Sequence, residues 1–354
     1  MRKHTTVLLS LLVILMFNYS CYRSSTNRSS RILPQPPPYF SEGRAEDQGK
    51  VMPVRNRKNE KIKIAFLAME TNPWWTPVKA GVMEAKDILK DYNTEVDWIV
   101  AGDRHTADVF GIAIEAAIAQ NYDGIACLAG DEGMIPFIQK AVEANVAVAT
   151  YNSETNKESP RVFFVGADNY KQGRECGEKM AQLIGGKGKV AIITGFFAVE
   201  AHELRRTGFK DVIAEKYPDI KVVGEVENTD LADIAYTQAM DFMSSFPDLS
   251  GIYITASGQF GAANAVKDYG KKGSVKVVCH DFLPETVGLV REGVIQGLID
   301  QSTKLQGRDV VIHLYNYIVG GAVPPSGKLL LDTPMGTPEN IDKYWPIQAI
   351  KEPL

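Results

Sequence analysis

Ile62-Lys63-Ile64-Ala65-Phe66-Leu67-Ala68 runs straight into Met69-Glu70-Thr71-Asn72-Pro73-Trp74-Trp75. The first seven residues are short and almost continuously apolar, the pattern of a parallel strand buried on both faces. After them, Thr76 is placed to cap a helix and Pro77 to sit in its first turn. Val78, Val82, Ala85 and Leu89 would give that helix one apolar face. The loop therefore falls at the carboxyl end of a first strand, where open α/β sheets place ligands. One tryptophan there reads as packing; two in a Pro-restrained polar turn read as an aromatic platform for a small ligand with polar edges.

From Lys61 onward strands and helices alternate. Strands are predicted at 62–68, 95–100, 124–129, 146–151 and 162–165, with helices near 77–90, 106–120 and 134–145. A second set follows, with strands near 189–194, 221–226, 251–255, 275–280 and 295–300. Its helices lie near 201–216, 233–245, 259–269 and 284–292. A last helix (304–319) and a short strand (328–331) precede the tail. Alternation of this kind builds right-handed βαβ units around parallel sheets, and two sets predict two similar Rossmann-like lobes. The length of 354 residues agrees, because one core rarely grows that large.

The ends of the chain differ in character. Arg2, Lys3 and His4 precede an apolar stretch from Val7 to Phe17, and Ser20-Cys21 follows. Residues 1–21 thus read as an export signal, too short to span a bilayer comfortably, which takes about 20 apolar residues. Cys21 resembles the lipid-attachment cysteine of bacterial lipoproteins, although Asn18 stands where that box carries an aliphatic residue. Residues 22–60, with Pro34-Gln35-Pro36-Pro37-Pro38, lack periodicity and read as a flexible tether. Cys127, Cys176 and Cys279 are odd in number and irregular in spacing, so they suggest buried thiols and no metal site. A net charge of −4 without a basic run argues against nucleic acid as a partner.

At predicted strand ends the chain offers Asn72, Trp74 and Trp75, Asp103-Arg104-His105, Asp131-Glu132, Asn152-Ser153-Glu154, Phe196-Phe197 with Glu200 and Glu203, Asn228-Thr229-Asp230, Ser257 with Gln259, His280-Asp281 and Gln301. Rings, amides and carboxylates suit a polyhydroxylated ligand, with flat faces against rings and hydroxyls against planar polar groups. Catalytic patterns fail. His202-Glu203 lacks a second histidine at 206, and Gly186-Lys187-Gly188-Lys189 precedes a strand and has no Ser or Thr after it. No G-x-G-x-x-G follows the first strand, and no G-x-S-x-G supplies a nucleophile to His280-Asp281. No enzyme, cofactor or metal is therefore expected. For Glu200 and Asp230 a helix cap or solvated loop is the favoured reading.

Asn72-Pro73-Trp74-Trp75 resembles the N-P-F-F/W-W loop of ribose-binding-type periplasmic sugar-binding proteins. Gly166-Ala167-Asp168-Asn169-Tyr170 with Gly173-Arg174, Arg206-Thr207-Gly208-Phe209, His280-Asp281 with Pro284-Glu285-Thr286, and Ile299-Asp300-Gln301 with Leu305-Gln306-Gly307 match that family in order and spacing. The resemblance spans 61 to about 335. It implies lobes at 61–166 with 302–331 and at 167–301 with 332–354, joined by a three-crossover hinge that closes on ligand. It places the ring platform on Trp74 and Trp75, the second lobe's carboxylate on Asp281 and the hinge-side amide on Gln301. It also implies an exported monomer that hands a sugar to an ABC permease, or alternatively to a chemoreceptor or membrane histidine kinase. There are departures. Asn152-Ser153 stand for Asp-Arg, Glu203 for a sugar-contacting Arg, Ala256 for Asn and Leu231 for an aromatic. Losing guanidinium forks disfavours ribose itself and points to a larger, alkyl-faced or partly basic sugar-like ligand.

Overall fold

The structure, a computed structural model, describes residues 31–346. The expected signal, Cys21 and the first part of the tether (22–30) lie outside the described residues. Two mostly parallel sheets form the frame. The first has the order β1 (Glu42–Arg44), β12 (Lys328–Leu330), β6 (Phe163–Gly166), β5 (Ala147–Glu154), β4 (Gly124–Ala129), β2 (Ile62–Ala68), β3 (Thr94–Val100). The second runs β13 (Met335–Gly336), β11 (Gly297–Ile299), β10 (Lys276–His280), β9 (Leu249–Ile254), β7 (Gly188–Thr194), β8 (Ile220–Glu227). In each lobe the first long strand, β2 or β7, lies between the next two, so the order reverses beside it. That reversal opens a crevice at the strands' carboxyl ends. All pairings are parallel except β11 with the two-residue β13.

Within the described residues the chain passes between the sheets three times: after β6, after β11 and after β12. On β7, Ala191 and Ile193 face one hydrophobic cluster while Val190 and Ile192 face another, the period-2 alternation of a strand covered on both sides.

The helices directly after the first two passages fix the lobes' inner geometry. α4 (Asn169–Leu183) crosses α5 (Glu200–Lys216), and α9 (Thr303–Gly320) crosses α1 (Trp75–Leu89). At both crossings backbones touch through paired glycines. A Cβ on Gly173 would overlap the Arg205 carbonyl, and one on Gly208 the Tyr170 carbonyl. Likewise Gly81 abuts the Lys304 carbonyl and Gly307 that of Val78. Apolar periodicity does not mark α4 as a helix. Its buried face is Gly173, Cys176, Gly177, Met180 and Ala181 with Asn169 and Gln172, too small and polar to register as an apolar stripe.

Two expectations need correction. Residues 31–60 are not a free tether. Arg31 pairs with Asp123 (2.8 Å), Tyr39 lies under Arg161 (3.9 Å), and β1 adds a strand to the first sheet. Arg44 grips Asp332 with two hydrogen bonds (2.9 and 2.6 Å), and Gln48 joins it at 2.7 Å, so this strap holds the third passage. Moreover, Thr76 is not the helix cap. Asn72 accepts the Trp74 N–H on Oδ1 and the Trp75 N–H on its carbonyl, so α1 begins at Trp75.

Gly208→Val is expected to lower stability by about 3 kcal/mol or more, because the new side chain has to displace backbone. Gly288→Ala in α8 (Pro284–Arg291), where nothing lies within 4 Å, is expected to raise it by about 0.5–1 kcal/mol. Urea unfolding midpoints of the two variants measure both; equal midpoints would remove the backbone-contact argument.

Candidate functional site

Twelve residues from both lobes line one small pocket at the carboxyl ends of the sheets. The first lobe supplies Asn72, Trp74, Trp75, His105 and Asn152; the second supplies His202, Arg205, Asp230, Ala256, Ser257 and Asp281, with Gln301 on the second passage. Its free volume is about 30 Å³.

On the first lobe, aromatic contacts fix the platform. Trp75 meets Trp74, Trp98 and Tyr151 edge-on at 4.9, 6.1 and 6.5 Å. Phe66 stacks on Tyr151 at 4.5 Å, and the Tyr151 hydroxyl donates to the Leu67 carbonyl at 2.7 Å. Trp75 is thereby held from three sides. Trp74 is also buried, but its indole Nε1–H has no partner among the described residues. A buried N–H costs free energy until something accepts it.

On the second lobe the guanidinium of Arg205 is fully buried. Its Nε and Nη2 donate to Asn169 Oδ1 (2.9 and 2.7 Å), Nη1 to the Thr255 carbonyl (2.9 Å), and Nη2 also to Gln301 Oε1. Four of the five N–H groups of an arginine are so used, which leaves one on Nη1. Gln301 ties the lobes: Oε1 accepts from Arg205 and from Asn152 Nδ2 (3.1 Å), while Nε2 donates to Asp281 Oδ1 (2.5 Å). His202 accepts the Phe196 N–H on Nδ1 (3.1 Å), which leaves the ring proton to Nε2.

The electrostatics follow from burial. Both carboxyls, Asp230 and Asp281, are raised to about 6, each chiefly by desolvation. The charge of Asp281 adds to the effect on Asp230, while Arg205 and Gln301 oppose it at Asp281. Burial lowers His105 to about 4 and pushes His202 well below its ordinary value, the latter helped by the Arg205 charge. Both imidazoles are neutral at pH 7. The backbone carries strain here too: Asn152, Asp230 and Asp281 have φ of 60°, 61° and 75°. Asn and Asp tolerate this left-handed region better than other side chains.

Of the residues singled out from sequence, Asn72, Trp74, Trp75, Asn152, Asp281 and Gln301 line the pocket. Glu203 does not: its carboxylate is held by Arg206 (2.9 Å) and Thr207 (3.2 Å) on the outer face of α5. The guanidinium thought lost is present as Arg205, two positions on, about 200° around the helix. Ser153 is buried beside Gly130, with its hydroxyl outside the pocket. Asp230 is no solvated cap; its Oδ1 is buried without a partner among the described residues.

Residues 65–322 match the family described as periplasmic binding protein domain. The xylose/arabinose-binding protein XylF of Sulfolobus acidocaldarius is 24% identical over 73% of this chain, which spans 66% of that relative's length. An ABC transporter solute-binding protein of Burkholderia graminis, solved in complex with D-arabinose, is 25% identical with a TM-score of 0.75, covering 81% of this chain and 98% of its own. The XylFII–LytSN complex contains a chain 25% identical with a TM-score of 0.71, covering 79% of this chain and 99% of its own. With most of its length matched, the chain belongs to the periplasmic binding protein family, with the family's two-lobed α/β fold.

Proposed function

We propose that this chain is an exported binding protein that captures a neutral sugar between its lobes and delivers it to an ABC permease. The observation that carries the reading is the pocket's composition: two indoles on one lobe face an arginine, two carboxylates and a neutral histidine on the other. A sugar has apolar ring faces and hydroxyls that both donate and accept, and every one of these groups has a matching partner in it. Asn72, Trp74, Trp75 and Asn152 form one half of the contact, and His202, Arg205, Asp230, Ser257, Asp281 and Gln301 the other. The proteins it resembles include one named for xylose and arabinose and one solved with D-arabinose. The chemistry is capture, without turnover.

The 30 Å³ of free space is room for about two waters, so a ring enters only if the lobes part. In our reading the body made of 61–166 and 302–331 swings against 167–301 and 332–354 about the three passages. A ligand touching both halves favours the closed form by its differential affinity. Micromolar capture requires about −8 kcal/mol. Basic residues 2–4, the apolar stretch to Phe17 and Cys21 support export, with a lipid on Cys21 tethering a monomer to the outer face of the membrane. A second reading is delivery to a sensor, favoured by the likeness to the XylFII chain of the XylFII–LytSN complex.

Asp230→Asn separates binding from folding, because Oδ1 holds no partner among the described residues. The variant is expected to be at least as stable as the parent, while sugar affinity by calorimetry falls ten-fold or more. Unchanged affinity would remove Asp230 from the site. The raised carboxyls also set a pH dependence. Hydroxyls donate to the ionised form, so affinity is expected to fall by about ten-fold between pH 7 and pH 5 for each carboxylate that must stay charged. Stability of the ligand-free protein runs the other way. A folded value above the ordinary 3.8 gives a contribution fully present below 3.8 and lost as pH rises through about 6. Melting scans at both pH values, with and without sugar, check the two signs together; a ligand-induced shift that grows on acidification contradicts them.

A further inference from the structure

A much larger cavity adjoins the small pocket. Its free volume is about 910 Å³, against about 30 Å³ for the pocket, and His105 and Asp230 line both. The first lobe supplies Met69, Thr71 and Thr106 to this vestibule, and the second supplies Phe196, Val199 and Leu231. Leu231 is 48% exposed and so presents an apolar face to this space.

An aromatic surface runs from one space to the other. The Phe196 ring lies nearly parallel to His202, at 17° and 6.5 Å between centroids. His202 faces the pocket and Phe196 the vestibule, so a ring bound at the first continues onto the second. Acidic groups edge this space: Asp103, Asp131, Glu132 and Glu200 lie around it, with Arg104 the sole arginine or lysine in the lining. Arg104 is engaged with Asp108 at 3.2 Å, and Glu132 with Lys157 at 2.5 Å. An anionic group is poorly matched there, whereas a neutral one with an apolar face is well matched.

The vestibule is present where the lobes lie close together. The lobes already approach at Gly130, where a Cβ would lie 4.0 Å from the Glu200 backbone nitrogen. The two bodies are therefore near contact at the vestibule's own wall while its volume remains.

We propose that the vestibule is a second subsite, and that the natural ligand is a neutral glycoside: a sugar bearing a second, apolar-faced ring. The first ring meets Trp74, Arg205 and Asp281; the second lies against Phe196, Val199 and Leu231. The inference rests on the sugar-binding reading above. The second ring is a further pyranose or an aryl aglycone, which share the flat apolar face these side chains present.

Calorimetry on the full mature chain distinguishes the cases. The probes are D-xylose, L-arabinose, D-glucose and D-galactose, their p-nitrophenyl glycosides, and xylobiose, cellobiose and lactose. At least one two-ring probe is expected to bind ten-fold or more tighter than its parent sugar. The double variant Phe196→Ala/Leu231→Ser is expected to erase that difference while changing the parent sugar's Kd less than three-fold. Preference for a disaccharide or for an aryl glycoside assigns the second ring, and either supports the subsite. Free sugars binding as tightly as every two-ring probe, or a variant that weakens both classes equally, would overturn the subsite and leave the sugar reading standing. No saturable heat with any probe would overturn both.

Discussion

The side-chain amide of Gln301 is the point at which the two halves of this molecule are joined chemically as well as covalently. It lies where the chain leaves the second sheet, accepts from Arg205 on one lobe and Asn152 on the other, and donates to Asp281. Arg205 is in turn held by Asn169, the first residue of the helix that follows the first passage. A single buried network thus connects two of the three interlobe strands to the floor of the pocket. Networks of this kind are strong only when every member is satisfied. Here the protein uses four of the five N–H groups of Arg205, while Asp230 Oδ1 and Trp74 Nε1, on residues that line the same pocket, have no partner among the described residues. Those are complementary to hydroxyls, which donate and accept at the same oxygen.

This arrangement is held at a cost. Three pocket residues adopt left-handed backbone, and two carboxyls are buried within reach of each other's charge. Strain and desolvation of this sort persist only where the surroundings over-determine them. The glycine contacts at the α4–α5 and α1–α9 crossings supply that support. Each lets a helix lie directly on its neighbour's backbone, so the first two turns of α1 and α5, which carry Trp75 and Arg205, have little freedom to shift. The strap on the first lobe adds to this by fixing Asp332 through Arg44 and Gln48. The matched family segment covers residues 65–322, and the strap lies outside it.

Much of the frame was legible because apolar runs punctuated by turns specify buried parallel strands. β2 and β4 occupy the predicted residues, and the strand-end rule led to Asn72, Trp74, Trp75, Asn152, Asp281 and Gln301. What was missed has physical causes. Arg205 belongs to the face of α5 that includes Ala201, His202, Gly208, Phe209 and Val212, all buried at spacings of three and four. Reading that periodicity for the charged residues as well would have chosen it over Glu203, which points the other way with Arg206. Asp230 sits in a loop, where no period reports orientation. α4 was hidden because close helix packing selects small residues, and the strap because it is held by individual polar contacts with only a three-residue strand.

A crystal structure of the protein grown with its tightest-binding neutral sugar tests the central claim most directly. The account predicts one ring between the lobes, a face on Trp74 or Trp75, and hydroxyls within 3.2 Å of Asp230 Oδ1 and the free N–H of Arg205. A sugar bound on one lobe alone, or with Arg205 and Asp230 still facing away from it, would contradict the account.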